Sequence, residues 1–404
     1  MIKNILILLF SILSTTIFAQ EKLKSSDISE FAHTFKINDD NIVGLGANIL
    51  ENKISESQFI LLGEQHYSPE ISEFTNAILP KLKQSNFKYF AIEVGPNSTE
   101  KMITVIKEKK SLFDFNTSFY SNYKDIPFPF FDGKKDELFL KTAINENFEI
   151  WGIDQEFLSS QLFLIDEIYN QSNEKSSLKP LFDSAKQFVI QEFKKDKENK
   201  NYPMFSNLLE SNIVKSLFEK CKNEKQNKII ADLITSWEIY AFNETKKYSE
   251  NNFTRMKYMK RKFGENYKIA LKTDSLPKVF VKMGSMHLAR GKNWLRIYDL
   301  GNMIKELSYF NGTKSTSINC FARYSQDNDG TIYDYLDDED GKVYQPILEL
   351  AKKDKWVLIE TKPILELVNK KKIELNSDLK ILISGFDFIL FTPIKTEVKI
   401  NYAE

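Results

Sequence analysis

Two short stretches of this chain set an imidazole close behind a glycine: Gly63-Glu64-Gln65-His66 and Gly284-Ser285-Met286-His287. The first also carries a carboxylate. Histidine is scarce, with three in the chain, and two of them fall in these stretches. An imidazole has an ordinary pKa of about 6.5, so it can take a proton from water near neutral pH. A neighbouring carboxylate can orient the ring and stabilise its charged form. Glu64 and Glu93 are the carboxylates placed to do so. The same four side chains, His66, His287, Glu64 and Glu93, could instead hold one divalent metal with a position open for water. Both schemes activate water, so both point to hydrolysis. Each residue alone reads as structural, since a Glu at a strand end often meets the dipole of the next helix. The four together point to a site. Asp154 and Glu70 are supporting candidates. Glu70 lies four residues after His66, but Pro69 reads as the opening of a helix with Glu70 in its first turn. His33 has no motif around it and reads as structural or exposed.

These residues need elements to bring them together. Residues 58–63 form a short apolar run ending in Gly, the pattern of a buried strand. Residues 89–94, 148–153 and 278–284 read as three more. Apolar residues at 71, 74, 78 and 82 predict an amphipathic helix over 70–85, which Pro80 would kink or shorten. Residues 97–109 and 134–147 also suit helices, and the aromatic segment 111–133, with Pro127 and Pro129, reads as an irregular loop. This alternation is the signature of an α/β fold, a mainly parallel β-sheet flanked by helices. Residues 158–265 carry helical spacing throughout and read as an insertion between the third and fourth core strands. Further strands are expected at 315–321, 356–359, 379–383 and 388–391, and a helical lead-in over 20–57. Open parallel sheets bind ligands at the carboxyl ends of their strands. Glu64 and His66, Glu93, Asp154 and His287 all follow such ends. Gly63 and Gly284 would let the backbone turn sharply there.

The chain has 404 residues with 56 basic and 56 acidic side chains, so no charge excess points to nucleic acid. Lys3, an apolar stretch and Ala19 before a polar run read as a signal peptide over 1–19, followed by one domain over 20–404. Export to the periplasm or the medium follows from that reading. No later stretch is apolar for the roughly 20 residues a membrane span needs. Cys221 and Cys320 are the only cysteines, and their separation in what look like a helix and a strand argues against pairing.

In order along the chain, five segments resemble the motifs of the superfamily that joins erythromycin esterases, Tiki-type metalloproteases and bacterial haem-uptake lipoproteins. They are Gly63-Glu64-Gln65-His66 after its strand, Ala91-Ile92-Glu93, Gly152-Ile153-Asp154-Gln155, Phe253-Thr254-Arg255 with Met259, and the strand leading to His287. The resemblance covers residues 58–290, and residues 300–404 add nothing to it. It implies that His66 is a water-activating base or metal ligand, with Glu64 and Glu93 as partners and His287 as second imidazole. It also implies that Arg255 stabilises negative charge on the substrate or transition state. The spacing from Gly63 to His66 is shorter than in the esterases and closer to the other two branches. Ser285-Met286 stands where the esterases have an Asn-containing turn.

The expectation is an exported hydrolase of an ester, lactone or amide bond in a small-molecule or peptide substrate, with the helical insertion as a substrate wall. Two alternatives stay open. One is a metal-dependent peptidase with the same site. The other is a haem- or metal-binding protein of the cell envelope, using the aromatic residues Phe119, Tyr120 and Tyr123. No Gly-x-Ser-x-Gly elbow is present to suggest a serine nucleophile.

Overall fold

A computed structural model describes residues 22–38 and 41–403. The expected signal segment lies outside them. Among the described residues there are eleven strands: β1 Ala32–Asn38, β2 Asn41–Val43, β3 Phe59–Glu64, β4 Tyr89–Ile92, β5 Glu149–Gly152, β6 Val279–Gly284, β7 Ser315–Phe321, β8 Tyr324–Gln326, β9 Ile332–Asp334, β10 Trp356–Glu360 and β11 Phe388–Phe391. Nine build one sheet in the order β5-β4-β6-β3-β7-β11-β10-β1-β2, and β8 and β9 form a separate hairpin. The six strands from β5 to β11 are parallel, while β10, β1 and β2 extend the sheet in antiparallel fashion. The fold is therefore α/β with a mainly parallel sheet, as expected.

Strands β3, β4 and β11 are apolar almost throughout because both sheet faces are covered, while buried β6 carries Lys282 and β7 several polar residues. Alternate residues still enter different cores. Ile60, Leu62, Phe90 and Phe280 join one cluster with Ile71, Phe74 and Ile78 of the helix Pro69–Gln84 and with Phe139. Phe59, Leu61, Ala91, Val279 and Val281 join the other, with Met259 and Phe263 of the helix Tyr248–Ala270 and Ile304 of the helix Leu300–Phe310. Each fully buried Leu, Ile or Phe contributes roughly 1.5–3 kcal/mol. Pro80 sits inside the helix Pro69–Gln84, which continues past it to its expected end.

Between β5 and β6 the chain is helical throughout, from Gln161 to Ala270, with no intervening strand. The last of these helices returns to the sheet and carries Arg255 to its edge. The chain starts its parallel order at β3, moves outward to β4 and β5, then inserts β6 between β3 and β4 before adding β7 on the other side. The carboxyl ends of β3, β6 and β4 thus flank a point where the direction of winding reverses, the usual ligand position in such sheets.

Three local expectations are corrected. Residues 379–383 lie in the helix Ser377–Gly385, because the Asn376 side chain accepts from the backbone N–H groups of Asp378 and Leu379 and caps it. Its Leu379, Leu382 and Ile383 are buried at helical spacing. The lead-in is only partly helical: β1 and β2 precede the helix Leu45–Glu56, and β1 is stabilised by pairing with β10, a partner over three hundred residues away. His33 on β1 meets Glu360 at 3.0 Å, far along the sheet from the other histidines, in a structural role. The aromatic segment contains a helix, Phe113–Tyr123. Phe113 is exposed, but the other rings pack against the protein: Phe115 stacks on Phe128, Phe119 packs edge-on to Phe163 and beside Tyr123, and Tyr120 lies against Tyr402. Cys221 and Cys320 are both buried and unpaired.

Candidate active site

Glu64 is the last residue of β3, and its register partner on β6 is Gly284. Lys282, two residues earlier on β6, therefore projects to the same sheet face as Glu64. Its ammonium pairs with Glu64 Oε2, and the lysine is 5% exposed. The other oxygen, Glu64 Oε1, meets His66 Nδ1 at 3.2 Å. Burial alone would raise the Glu64 pKa, but the charges of Lys282 and His66 outweigh it and hold the carboxyl down at about 2. Glu64 is thus an ionised anchor for the imidazole. Behind Lys282, burial pushes Asp136 up to about 7 against the pull of Lys282 and a hydrogen bond from Ser72.

The other edge of His66 faces Glu93, with Nε2 3.5 Å from Oε2. Burial works to lower the His66 pKa, but Glu64 and Glu93 prevail and raise it. A ring of Phe130 stacks on the imidazole, with centroids 3.8 Å apart and planes 7° from parallel. Phe130 holds φ 63° and Tyr67 φ 56°, a left-handed conformation costly for aromatic residues and found where the surroundings over-determine the backbone. The two rings meet edge-on.

Glu93 is the hub. Its Oε2 accepts from the Gly284 backbone N–H, and its Oε1 from Arg255 Nη2 at 2.8 Å. His287 Nε2 stands 3.5 Å from the same Oε1. Burial would raise the Glu93 pKa; His287, His66 and Arg255 together lower it. His287 Nδ1 in turn meets Asp299 Oδ2 at 2.9 Å. Asp299 is fully buried and caps the helix Leu300–Phe310 through its other oxygen. A continuous chain of opposite partners results: Lys282, Glu64, His66, Glu93, His287, Asp299.

All four principal candidates, Glu64, His66, Glu93 and His287, are therefore gathered at one edge, with Arg255 and Asp154 beside them. Asp154 takes Arg255 Nε at 3.0 Å and Nη2 at 2.5 Å. Two of the three guanidinium nitrogens are thus committed to Asp154 and Glu93, and their charges raise the Arg255 pKa despite its burial. In this arrangement Arg255 acts on Glu93. Glu70 is not brought into the cluster: its Oε1 accepts from the backbone N–H and hydroxyl of Thr396, because the helix opened by Pro69 turns it toward the end of the chain.

The glycines do a different job from the one expected. Neither Gly63 nor Gly284 takes a positive φ. They are needed for space. A Cβ at Gly284 would lie 2.8 Å from His66 Nε2 and 3.3 Å from Glu93 Oε2, and one at Gly63 would lie 2.9 Å from the Ser285 backbone. Gly284 thus lets β6 pass directly beneath the imidazole.

The donors do not suit a resident divalent cation. Glu64 and Glu93 already face the buried Lys282 and the part-buried Arg255, and a further double charge beside them would be repelled. Among the described residues no group of three or more His, Cys, Asp or Glu side chains is arranged to hold a metal ion. Nor is any helix among them long and apolar enough to cross a membrane.

Sequence reasoning passed over Lys282, Asp299 and Phe130. Lys282 had a legible signal: a single charge inside the apolar run Val279-Phe280-Val281-Lys282-Met283 of a parallel, doubly covered strand needs a buried partner. Residues 300–404 also proved more informative than expected, since β7 and the β8–β9 hairpin line a cavity of about 500 Å³ that begins at Glu64 and Ser285.

Comparison with known families finds no match, and no curated protein matches in sequence. Solved structures do match. A Bacillus cereus protein is 15% identical, with a TM-score of 0.56 over 93% of this chain and 98% of its own. A succinoglycan biosynthesis protein is 14% identical, with a TM-score of 0.52 over 93% and 97%. An erythromycin esterase in its open conformation is 12% identical, with a TM-score of 0.49 over 87% and 94%. At these identities the first two likenesses show the fold alone.

Proposed function

We propose that this protein is a hydrolase that cleaves an ester, lactone or amide bond by imidazole-activated water, without a metal. The observation that carries the reading is the convergence of two carboxylate-oriented imidazoles, His66 on Glu64 and His287 on Asp299, upon the single buried carboxylate Glu93. His66 is the base. With Nδ1 fixed by Glu64, its Nε2 edge takes a proton from water as the water oxygen bonds to the substrate carbonyl carbon. Glu64 and Glu93 stabilise the imidazolium that forms, as the buried carboxylate does in a catalytic triad. The tetrahedral adduct then expels the alcohol or amine, which leaves with a proton returned by an imidazole. That proton is the one His66 took from water, so His66 returns to its starting state, while His287, oriented by Asp299, holds Glu93 Oε1 from the other side. Arg255, itself held by Asp154, keeps Glu93 ionised between the two rings.

The signal-like segment 1–19 makes export to the periplasm or the medium part of this proposal. The test is a panel of ester, lactone and peptide substrates run with wild type, His66→Ala and His287→Ala. Turnover by wild type and its loss in both variants supports the reading. No turnover of any substrate by folded wild type, or full turnover by His66→Ala, sinks it.

A further inference from the structure

The cavity that begins at Glu64 and Ser285 opens over the carboxyl ends of β3, β6 and β7, beside the imidazole chain. None of its lining residues comes from the helical segment between β5 and β6, which had been expected to wall the substrate. Its walls are Trp294, Phe321, Tyr324, Tyr333, Tyr335 and Tyr344. At about 500 Å³ it falls within the size range of small-molecule sites, roughly 300–1,000 Å³.

The polar groups define what would fit. Arg323 lines the cavity but is locked on Asp334 by two hydrogen bonds, of 2.9 and 2.8 Å. Glu64 is held by Lys282. What remains at the wall is Lys395 against the exposed rim carboxylates Asp337 and Asp338. No surplus of positive charge is present to hold an anion. A ligand cation would find the Tyr324 ring already faced by Arg323 at 4.7 Å and Lys353 at 5.0 Å. An anionic occupant is therefore disfavoured, and the hydroxyl-bearing rings of the wall suit a neutral one. Tyrosine and tryptophan offer an apolar face and a polar tip together. The hydroxyls of Tyr324 and Tyr335 and the rim carboxylates offer donors and acceptors around such faces, while the Tyr333 hydroxyl donates to Asp327 and the Tyr344 hydroxyl accepts from Trp294. That mixture matches a saturated ring with apolar C–H faces and a hydroxyl rim.

We propose that this cavity binds the non-reacting part of the substrate and takes a neutral, hydroxyl-rich ring, so that the bond cut is an ester on a sugar or similar polyol. The nature of the bond rests on the hydrolase reading; the binding does not. Two separate readouts keep these apart. Trp294 is the one tryptophan of four that is not buried, so its fluorescence reports entry into the cavity. Neutral gluco-, galacto-, manno- and xylo-oligosaccharides, and their mono-O-acetyl esters, are titrated against the full chain, with octanoate and galacturonate as apolar and anionic comparators.

The expected result is a saturable change with at least one neutral sugar and none with the comparators, abolished in Trp294→Phe. Tyr333→Ala changes a half-exposed hairpin residue outside the imidazole chain. It should raise KM for the acetylated sugar about tenfold and leave kcat within twofold. Sugar binding without ester turnover would uphold the cavity assignment and count against the hydrolase. No response to any sugar, or an equal response to octanoate or galacturonate, would overturn the assignment even if small esters were cleaved.

Discussion

Replacing Lys282 by Met removes the cation that holds Glu64 ionised and leaves the carboxylate buried against an apolar side chain. Glu64 is brought from its ordinary 4.5 down to about 2, and that difference corresponds to about 3 kcal/mol of preference for the charged form in the folded state. Removing one partner of a buried pair typically costs roughly 3–5 kcal/mol. Lys282→Met should therefore lower the unfolding free energy by about 3 kcal/mol, while the double change Lys282→Met with Glu64→Gln should cost clearly less than the two single changes added together. The assay is urea unfolding of the four proteins at pH 7, repeated from pH 6 to pH 2. The sign in pH follows from the lowered pKa. A depressed carboxyl contributes stability that is present above 4.5 and lost as pH falls toward about 2. Wild type should lose that contribution in this window, and Lys282→Met should show a smaller loss there, since only His66 is left to lower the Glu64 pKa. Additive costs, or a Lys282→Met penalty below about 1 kcal/mol, would refute the claim that this pair anchors the site.

Other consequences follow from the same geometry. Because Glu64 and Glu93 raise the His66 pKa, kcat/KM should climb with pH through an apparent pKa above 6.5, and Glu64→Gln should move that pKa downward. Gly284→Ala would put a methyl 2.8 Å from His66 Nε2, and a displacement of about 1 Å costs about 100-fold in rate, so kcat should fall by about that factor while the far-ultraviolet spectrum is unchanged. Prolonged dialysis against a chelator should leave turnover within twofold of the untreated protein, since the carboxylates already face Lys282 and Arg255; a loss restored by added zinc or manganese would contradict this.

What the sequence made legible was the local signal of buried parallel strands and what stood at their ends. The runs before Glu64, Glu93, Asp154 and His287 are short, apolar and followed by helical spacing, and a parallel sheet forces such ends to one edge. What it hid depended on distance or on ambiguous period. The run at 379–383 has the apolar content of a strand, and its helical state is set by the cap at Asn376. β1 owes its state to β10, and no local pattern announces that pairing. Asp299 reaches His287 across a loop with no periodicity, so its role follows from tertiary packing alone. Glu70 is a supporting candidate only by its spacing from His66; Pro69 opens the helix where the sequence indicates, and that helix turns Glu70 toward Thr396.

The most direct test of the central claim is kcat/KM of His66→Ala against wild type on the best substrate of the panel, measured with and without added imidazole. The account predicts a loss of roughly 10²–10⁴-fold, the usual worth of a positioned base, with partial recovery as free imidazole replaces the missing ring beside Glu64 and Glu93. A variant within threefold of wild type, or a loss that imidazole does not relieve in a folded protein, would contradict His66 as the base.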